Sequence, residues 1–553
     1  MEDKNLVLAQ LLFPDVVKTP ADMEKEFPAR DLPEGARVTR IAPSPTGFVH
    51  FGNLFPALVS ERLARQSGGV FILRIEDTDS QRKVEGAVET IIDSFAHYGL
   101  IFDEGVTKTG ECGNYGPYSQ SQRAPIYHVY AKSLVQQGLA YPCFMTKEEL
   151  EEIRTEQEKL KVLPGCYGEW AKYRDTDIET VKELIEKGVP YVLRLRSPGK
   201  VGGRITFTDV IKGKVEMDEN YVDQVLLKSD GIPTYHFAHA VDDHIMGTTH
   251  VVRGEEWLSS LPLHLQLFRL LGFKPPKFLH ISLLMKQDGN SKRKLSKRHD
   301  PEAALTYYRE QGYPVSSVRE YVMTLLNSNY EEWRMQNPRT PLEDFKFTTS
   351  KMGHSGSLFD LNKLDDVSKN AISVMNAKQV TEEVISWAKD FDNELFELMS
   401  KDVSYTESIF EIGRNDAKPR KDISKWSEVR AYAGFFFDSL FAFTDKLPEN
   451  VTAEDAVAIL EAFKASYDIN DDGSEWFNKV KEIAVKFGYA EKPKDYKKNP
   501  EAFKGHVGDV SAVLRIAMTG KTTSPDLCGI MKILGTERVI SRIDNCIKYI
   551  KEN

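Results

Sequence analysis

The sequence predicts a parallel-sheet α/β domain interrupted by an α+β insertion and followed by an all-α C-terminal half. Three observations carry this expectation. A strand, a turn, a helix and a second strand follow one another within about 40 residues from Arg37, the order of a βαβ unit. Between residues 117 and 234 the pattern changes to a charged helix and short strands separated by glycine turns. From about Pro301 onward, apolar residues recur almost only at helical spacing.

Residues 1–35 read as a charged, proline-punctuated leader ending at Pro33-Glu34-Gly35. Arg37 to Ala42 is a short β-like run, broken by Pro43, Pro45 and Gly47. After Asn53, the residues Leu54, Ala57, Leu58, Leu63 and Ala64 share a helical face. Gly69 to Ile75 is an apolar run of the kind that forms a buried strand. In the insertion, Lys147 to Lys161 is a Glu/Lys-rich helix, while Tyr191 to Leu195 and Ile205 to Phe207 read as strands. The α/β character returns near Tyr235. The expected boundaries are 1–35, 36–116, 117–234, 235–286, 287–379 and 380–553. In the last region, Thr452 and Asp455 resemble a capping box. Trp476, Phe477, Val480, Ile483, Ala484 and Phe487 form one stripe, with Gly488 placed as a helix-ending glycine. Val539, Ile543, Ile547 and Ile550 repeat every three or four residues, so both stripes are expected in a helical core.

Composition narrows the function. The chain has 553 residues, 41% hydrophobic and 28% charged, which suits several packed domains and excludes a mainly disordered chain. No apolar run reaches the ~18–20 residues of a membrane span. The polar, acidic N-terminus does not read as a signal peptide. Five cysteines, odd in number and widely spaced, exclude a disulfide framework, favour a reducing compartment and are expected in cores. A net charge of −10 argues against nucleic-acid binding by global charge. Local basic strips remain open, and would give specific RNA binding that is released at moderate salt.

Four segments carry chemistry. In Arg40 to Asn53 a strand runs through a Pro/Gly turn into a helix whose free N–H groups suit a phosphate. Gly52, lacking a Cβ, would let a flat base approach the backbone, and His50 could donate to phosphate oxygens. In Ser291 to His299 five cations fall within seven residues beside Gly289 and Asn290, the composition of a mobile, solvated loop. Such a loop could clamp a polyphosphate whose charge grows in the transition state. Arg74 to Asp79 places three acids at a strand end, where one carboxylate could hold a substrate ammonium. Ser229 to His236, Asp242-Asp243-His244 and Val252 to Trp257 form a His/Asp-rich group without the helix-spaced histidine pair of a metal site.

These segments, with Gly116 to Ser121, resemble class I aminoacyl-tRNA synthetases, and among them the bacterial-type glutamyl-tRNA synthetases. His50-Phe51-Gly52-Asn53 is similar to their "HIGH" signature. Lys294-Leu295-Ser296-Lys297-Arg298 is similar to their "KMSKS" loop, with Leu for Met and Arg for the last Ser. The resemblance is strong over about residues 37 to 300. It continues more weakly to the C-terminus, where Thr519-Gly520 and Ser524-Pro525-Asp526 also fit.

The resemblance implies a Rossmann-type catalytic domain in two halves, 36–116 and 235–286, split by an acceptor-end-binding insertion, 117–234. A KMSKS loop with a stem-contact region would follow at 287–379, then a helical anticodon-binding domain at 380–553. It implies ligation of L-glutamate to the 3′ end of tRNA(Glu), through a glutamyl adenylate formed from ATP with release of pyrophosphate. His50, Gly52, Lys294 and Lys297 would be catalytic. Arg40, Ser44, Glu76, Tyr235 and Arg253 would bind glutamate. His50, Gly52, Asn53, Glu256, Trp257 and Lys297 would bind ATP, accompanied by Mg²⁺. His239 stands where some relatives carry Asn and is expected beside the pocket. Cys143 and Cys166 are too few for the zinc site that some relatives hold in the insertion, so no structural zinc is expected. A cytoplasmic monomer with no membrane partner is expected.

A glutaminyl-tRNA synthetase would share the catalytic half, but its anticodon-binding part is β-barrel. A truncated relative that glutamylates a tRNA base lacks the C-terminal half. A small-molecule nucleotidylyltransferase leaves more than 200 C-terminal residues unexplained. A non-catalytic tRNA-binding protein would not need His50, Glu76 and Lys297 together.

Overall fold

The computed structural model describes residues 4–46, 49–79, 84–296 and 299–552. It divides into two units, residues 1–307 with 322–360, and residues 308–321 with 361–553.

In the first unit the leader is folded. Helices α1 (Lys4–Leu12) and α2 (Pro20–Glu26) bury Ala9, Leu12, Met23 and Phe27. Thr19 and Asp22 close a capping box at the start of α2. The apolar positions of this charged, proline-punctuated segment are sparse, yet they are enough for one docked face. Beyond it, Arg30 makes a two-point bond to Glu104 at 2.7 and 2.8 Å and lies 4.0 Å above the Tyr115 ring.

Strand β1 (Val38–Ile41), helix α3 (Phe51–Arg65) and strand β2 (Val70–Leu73) form the βαβ unit. Gly69 lets β2 leave α3 tightly, since a Cβ there would stand 2.0 Å from the Arg37 carbonyl. Helix α4 (Ala87–His97) leads to β3 (Glu104–Thr107) and β4 (Gly110–Cys112). Helix α5 (Ala124–Gln136) carries the leader helices and opens the insertion. The insertion continues with β5 (Ala140–Cys143), α6 (Lys147–Leu160), α7 (Ile178–Glu186) and β6 (Val192–Leu195). A hairpin follows, β7 (Arg204–Asp209) and β8 (Gly213–Asp218), then β9 (Val225–Leu227). The sheet β5-β6-β9 is antiparallel.

The chain returns through α8 (Tyr235–Ile245), β10 (His250–Gly254), α9 (Leu261–Leu270) and β11 (Lys277–Ile281). The main sheet has the order β11-β10-β1-β2-β3-β4, parallel except for β4. The strand order reverses at β1, because β2 and β3 are added on one side and β10 and β11 on the other. In such sheets ligands sit at the strand carboxyl ends beside this switch point.

Strands β12 (Leu284–Asp288) and β13 (Ser291–Lys294) form a hairpin, with β14 (Ser357–Phe359) parallel to β12. The cationic segment is therefore partly a strand rather than a loop, though it stays largely exposed to solvent. Gly289, at φ +58, makes the turn, and acidic neighbours neutralise part of its charge. Arg293 bonds Asp288 and Asp300, at 2.9 and 2.6 Å, and Lys286 bonds Asp300 and Glu302.

The second unit's regular elements are all helical among the described residues. Ala453–Ser466, Gly473–Lys486, Val507–Thr519, Leu527–Leu534 and Thr536–Glu552 bury one core that includes Val480, Ile483, Val539 and Ile543. Thr452 Oγ1 accepts from Asp455 N at 3.1 Å, but the Asp455 carboxylate bonds Lys504 and Tyr489, so only half of the expected capping box forms; Gly488 has φ +85 just past its helix. Phe477 departs from the expected stripe. It is 38% exposed, one position off the buried face, with Lys481 over its ring at 5.1 Å. Cys143, Cys166, Cys528 and Cys546 are buried, but Cys112, on the edge strand β4, is exposed and not in a core. Among the described residues no helix is long and apolar enough to cross a membrane.

Candidate active site

A cavity of about 500 Å³ opens between the carboxyl ends of β10 and β11 and the first turn of α3. His50, Gly52, Glu256, Ser282, Lys294 and Ser296 are among its lining residues. His50 is the extended residue preceding α3, at φ −112 and ψ 164. Its N–H donates to Asn53 Oδ1 at 3.2 Å, so Asn53 closes the bend. Gly52 gives the imidazole room, because a Cβ there would stand 2.9 Å from His50 Nδ1. Pro56, also on the lining, has no N–H and so removes the donor that would otherwise claim the Gly52 carbonyl. At Gly254 a Cβ would meet Glu256 Oε2 at 2.1 Å, so that side chain can fold back along the strand end.

The hairpin sorts its cations. Arg293 is spent on Asp288 and Asp300, and this pairing holds the Asp300 carboxyl well below the usual range. Lys294 lines the cavity and has no acidic partner among the described residues. Lys297 and Arg298, like Gly47 and Phe48, lie outside the described residues.

Beside this cavity a buried charge network is built around α8. Asp243 accepts from Arg74 Nη1 at 2.7 Å and Arg40 Nε at 3.2 Å. Asp242 accepts from Arg123 Nε at 2.6 Å, Gln120 Nε2 at 2.8 Å and the Tyr127 hydroxyl at 2.9 Å. Burial opposes the Asp243 charge, but Arg40 and Arg74 more than offset it and hold its carboxyl well below the usual range. Glu76 takes a bond from Arg74 Nη2 at 3.1 Å, and burial still pushes its carboxyl up. Asp77 is structural, accepting from Ser121 N and Oγ at 2.8 and 2.7 Å, and Asp79 is exposed.

Glu76, Arg40 and Arg253, three of the residues expected at a glutamate pocket, lie close to Tyr235, the first residue of α8. Its hydroxyl, raised to about 12 by burial, feels Glu76, Arg253, Arg40 and Arg74 together. Arg40 commits only Nε to Asp243, which leaves its Nη groups without an acceptor among the described residues. Ser44 is exposed in the turn after β1, and Glu76 N binds the adjacent Pro43 carbonyl at 3.1 Å. The Trp257 ring lies 4.6 Å from that of Tyr235. His239 is fully buried, stacked 5.8 Å from Tyr235, with Nδ1 2.9 Å from Asp243 Oδ2. Burial lowers its pKa to about 4, so it is neutral at pH 7. With Arg74 bonded to Asp243 and Glu76, the cations Arg40 and Arg253 and the anion Glu76 around this hydroxyl suit a zwitterion bearing an extra carboxylate.

Sequence reasoning missed Arg74 and Arg123 as counter-ions, and Asp209, His264 and His280 altogether. No spacing signal marks them, because their partners lie far away in the chain. Asp242 and Asp243 in the His/Asp-rich group are ion-pair partners. His244 instead bonds Glu24 of the leader at 2.6 Å. Among the described residues no group of three or more His, Cys, Asp or Glu could hold a metal ion.

A family model for the catalytic domain of class I tRNA synthetases (E and Q) matches residues 37–366, and one for an anticodon binding domain matches 380–547. The glutamate–tRNA ligase of Acetivibrio thermocellus is 53% identical over 541 residues, covering 98% of this chain and 99% of its own. That of Clostridium perfringens (strain 13) is 51% identical over 541 residues, covering 97% and 99%. The crystal structure of a glutamate tRNA ligase from Elizabethkingia meningosepticum, in complex with its amino acid, superposes with a TM-score of 0.74. It is 29% identical and covers 94% of this chain and all of that one. With its nucleotide-sized cavity at the switch point and the amphoteric cluster beside it, the chain belongs to the class I tRNA synthetases of the E and Q group, among the glutamate–tRNA ligases.

Proposed function

We infer that the chain ligates L-glutamate to the 3′ end of tRNA(Glu) in two steps. The glutamate carboxylate attacks the α-phosphate of ATP, giving glutamyl adenylate and pyrophosphate, and the glutamyl group then passes to the tRNA. The observation that carries this reading is the single cavity shared by the His50–Gly52 bend and Lys294. Negative charge builds on the departing pyrophosphate, and cations and N–H donors placed beforehand stabilise it without a nucleophilic side chain. His50, Lys294 and Lys297 take that role. Gly52, Asn53, Glu256 and Trp257 seat the nucleotide.

Arg40 and Arg253 hold the two carboxylates of glutamate, Glu76 its ammonium, and Ser44 and Tyr235 add hydrogen bonds. Mg²⁺ arrives with ATP and neutralises part of the phosphate charge. A lining with one carboxylate, Glu256, suits an ion held mainly by phosphate and water. Residues 117–234 receive the acceptor end, 287–379 the stem and 380–553 the anticodon, with the enzyme acting as a cytoplasmic monomer. ATP–pyrophosphate exchange with glutamate and tRNA present tests the reading, and exchange that does not depend on glutamate would refute it. Charging assays with purified tRNA(Glu) and tRNA(Gln) then measure tRNA selectivity.

A further inference from the structure

The Arg253 guanidinium, 5% exposed, is held between two imidazoles. Its Nε donates to His280 Nε2 at 3.0 Å, and its Nη1 donates to His264 Nδ1 at 3.1 Å. Guanidinium offers donors only, so the ring nitrogens facing it are acceptors and the other nitrogen of each ring carries the proton. On His264 that proton points to His236 Nδ1 at 2.9 Å. On His280 it points to Asp209 Oδ2 at 2.7 Å.

Asp209 ends β7 of the inserted hairpin and is 1% exposed. Its Oδ1 accepts from the N–H groups of Ile211 and Lys212 at 2.9 and 2.8 Å. Its Oδ2 accepts from the His280 N–H at 3.1 Å as well as from the ring. Both oxygens therefore face donors, a demand that a carboxylate meets and an amide does not.

We propose that Asp209 is a positioning residue which, through His280, fixes the direction of the Arg253 fork and thereby the capture of glutamate. This rests on the glutamate-ligating reading and on Arg253 as a carboxylate ligand. With Asn at 209, the amide nitrogen must face donors on one side or the other. Facing His280, it forces the ring proton onto Nε2, against the Arg253 Nε–H. Facing Ile211 and Lys212, it breaks the turn that seats residue 209. Outer partners that orient metal ligands change affinity by about 10–100-fold, and an effect of the same order is expected for an oriented guanidinium.

The test is exchange kinetics on the full chain with tRNA present, varying glutamate and ATP separately. Asp209→Asn is expected to raise the glutamate KM about tenfold or more while the ATP KM moves less than about twofold. His280→Phe should do the same. His280→Gln keeps a donor for Asp209 and an acceptor for Arg253, and should return the glutamate KM to within about threefold of the parent. An unchanged glutamate KM in the first two variants overturns the proposal. So does an equal rise in both KM values, or a Gln variant no better than Phe, since either marks a merely structural contact. If Asp209→Asn does not fold, the two His280 variants decide. A parent chain without glutamate-dependent exchange would instead defeat the functional reading.

Discussion

Gly52→Ala separates catalysis from stability. The new Cβ would stand 2.9 Å from His50 Nδ1 and 3.0 Å from Cε1, whereas ordinary contact begins near 3.4 Å. The imidazole must therefore retreat by about 0.5 Å or turn aside. Misplacing a reacting group by about 1 Å can cost ~10² in rate, so about tenfold is expected here, ~1.4 kcal/mol on the barrier. Residue 52 lies in the first turn of α3, where Ala is a better helix former than Gly by up to ~1 kcal/mol. The variant should thus be slower yet no less heat-stable. Exchange kinetics in the presence of tRNA give kcat, and thermal unfolding gives the midpoint. A variant with parental kcat would refute the assigned His50 role. A rate loss matched by a lowered midpoint would show that the steric argument disturbs the fold instead.

Arg253→Gln should reduce glutamate activation and narrow the preference over glutamine, read from exchange with each amino acid; unchanged glutamate kinetics would count against the carboxylate assignment. Asp242→Asn removes one of the anions that balance the fully buried Arg74 and Arg123. An uncompensated buried charge costs about 3–5 kcal/mol, so the urea midpoint of the first unit should fall sharply. In the second unit, Gly520 has φ +73, and a Cβ would stand 1.9 Å from the Ala442 carbonyl. Gly520→Ala should cost at least about 2 kcal/mol in thermal unfolding, and a neutral result would rule out that close approach. His239, held near pKa 4 by burial against an ordinary value of 6.5, favours the folded state in its neutral form. That contribution is full above about pH 6.5 and is lost as pH falls toward 4. His239→Asn should therefore reduce the stability lost between pH 7 and 5 by about 2 kcal/mol, measured by denaturant titration at both pH values.

The strand, bend and helix from Val38 to Arg65 were legible before any fold was known, because burial pattern and turn chemistry act over a few residues. The cationic run near residue 294 was legible as a run. The assignment of partners was not. Folding spends Arg293 on Asp300 and leaves Lys294 facing the cavity, though the two are adjacent and chemically alike. Asp209 reaches His280 across 71 residues, and Arg40 reaches Asp243 across 203. Hydrophobic periodicity and helix capping are short-range effects written in neighbouring residues. Pairing of buried charges depends on which side chains meet once water is excluded, and only the packed chain determines that.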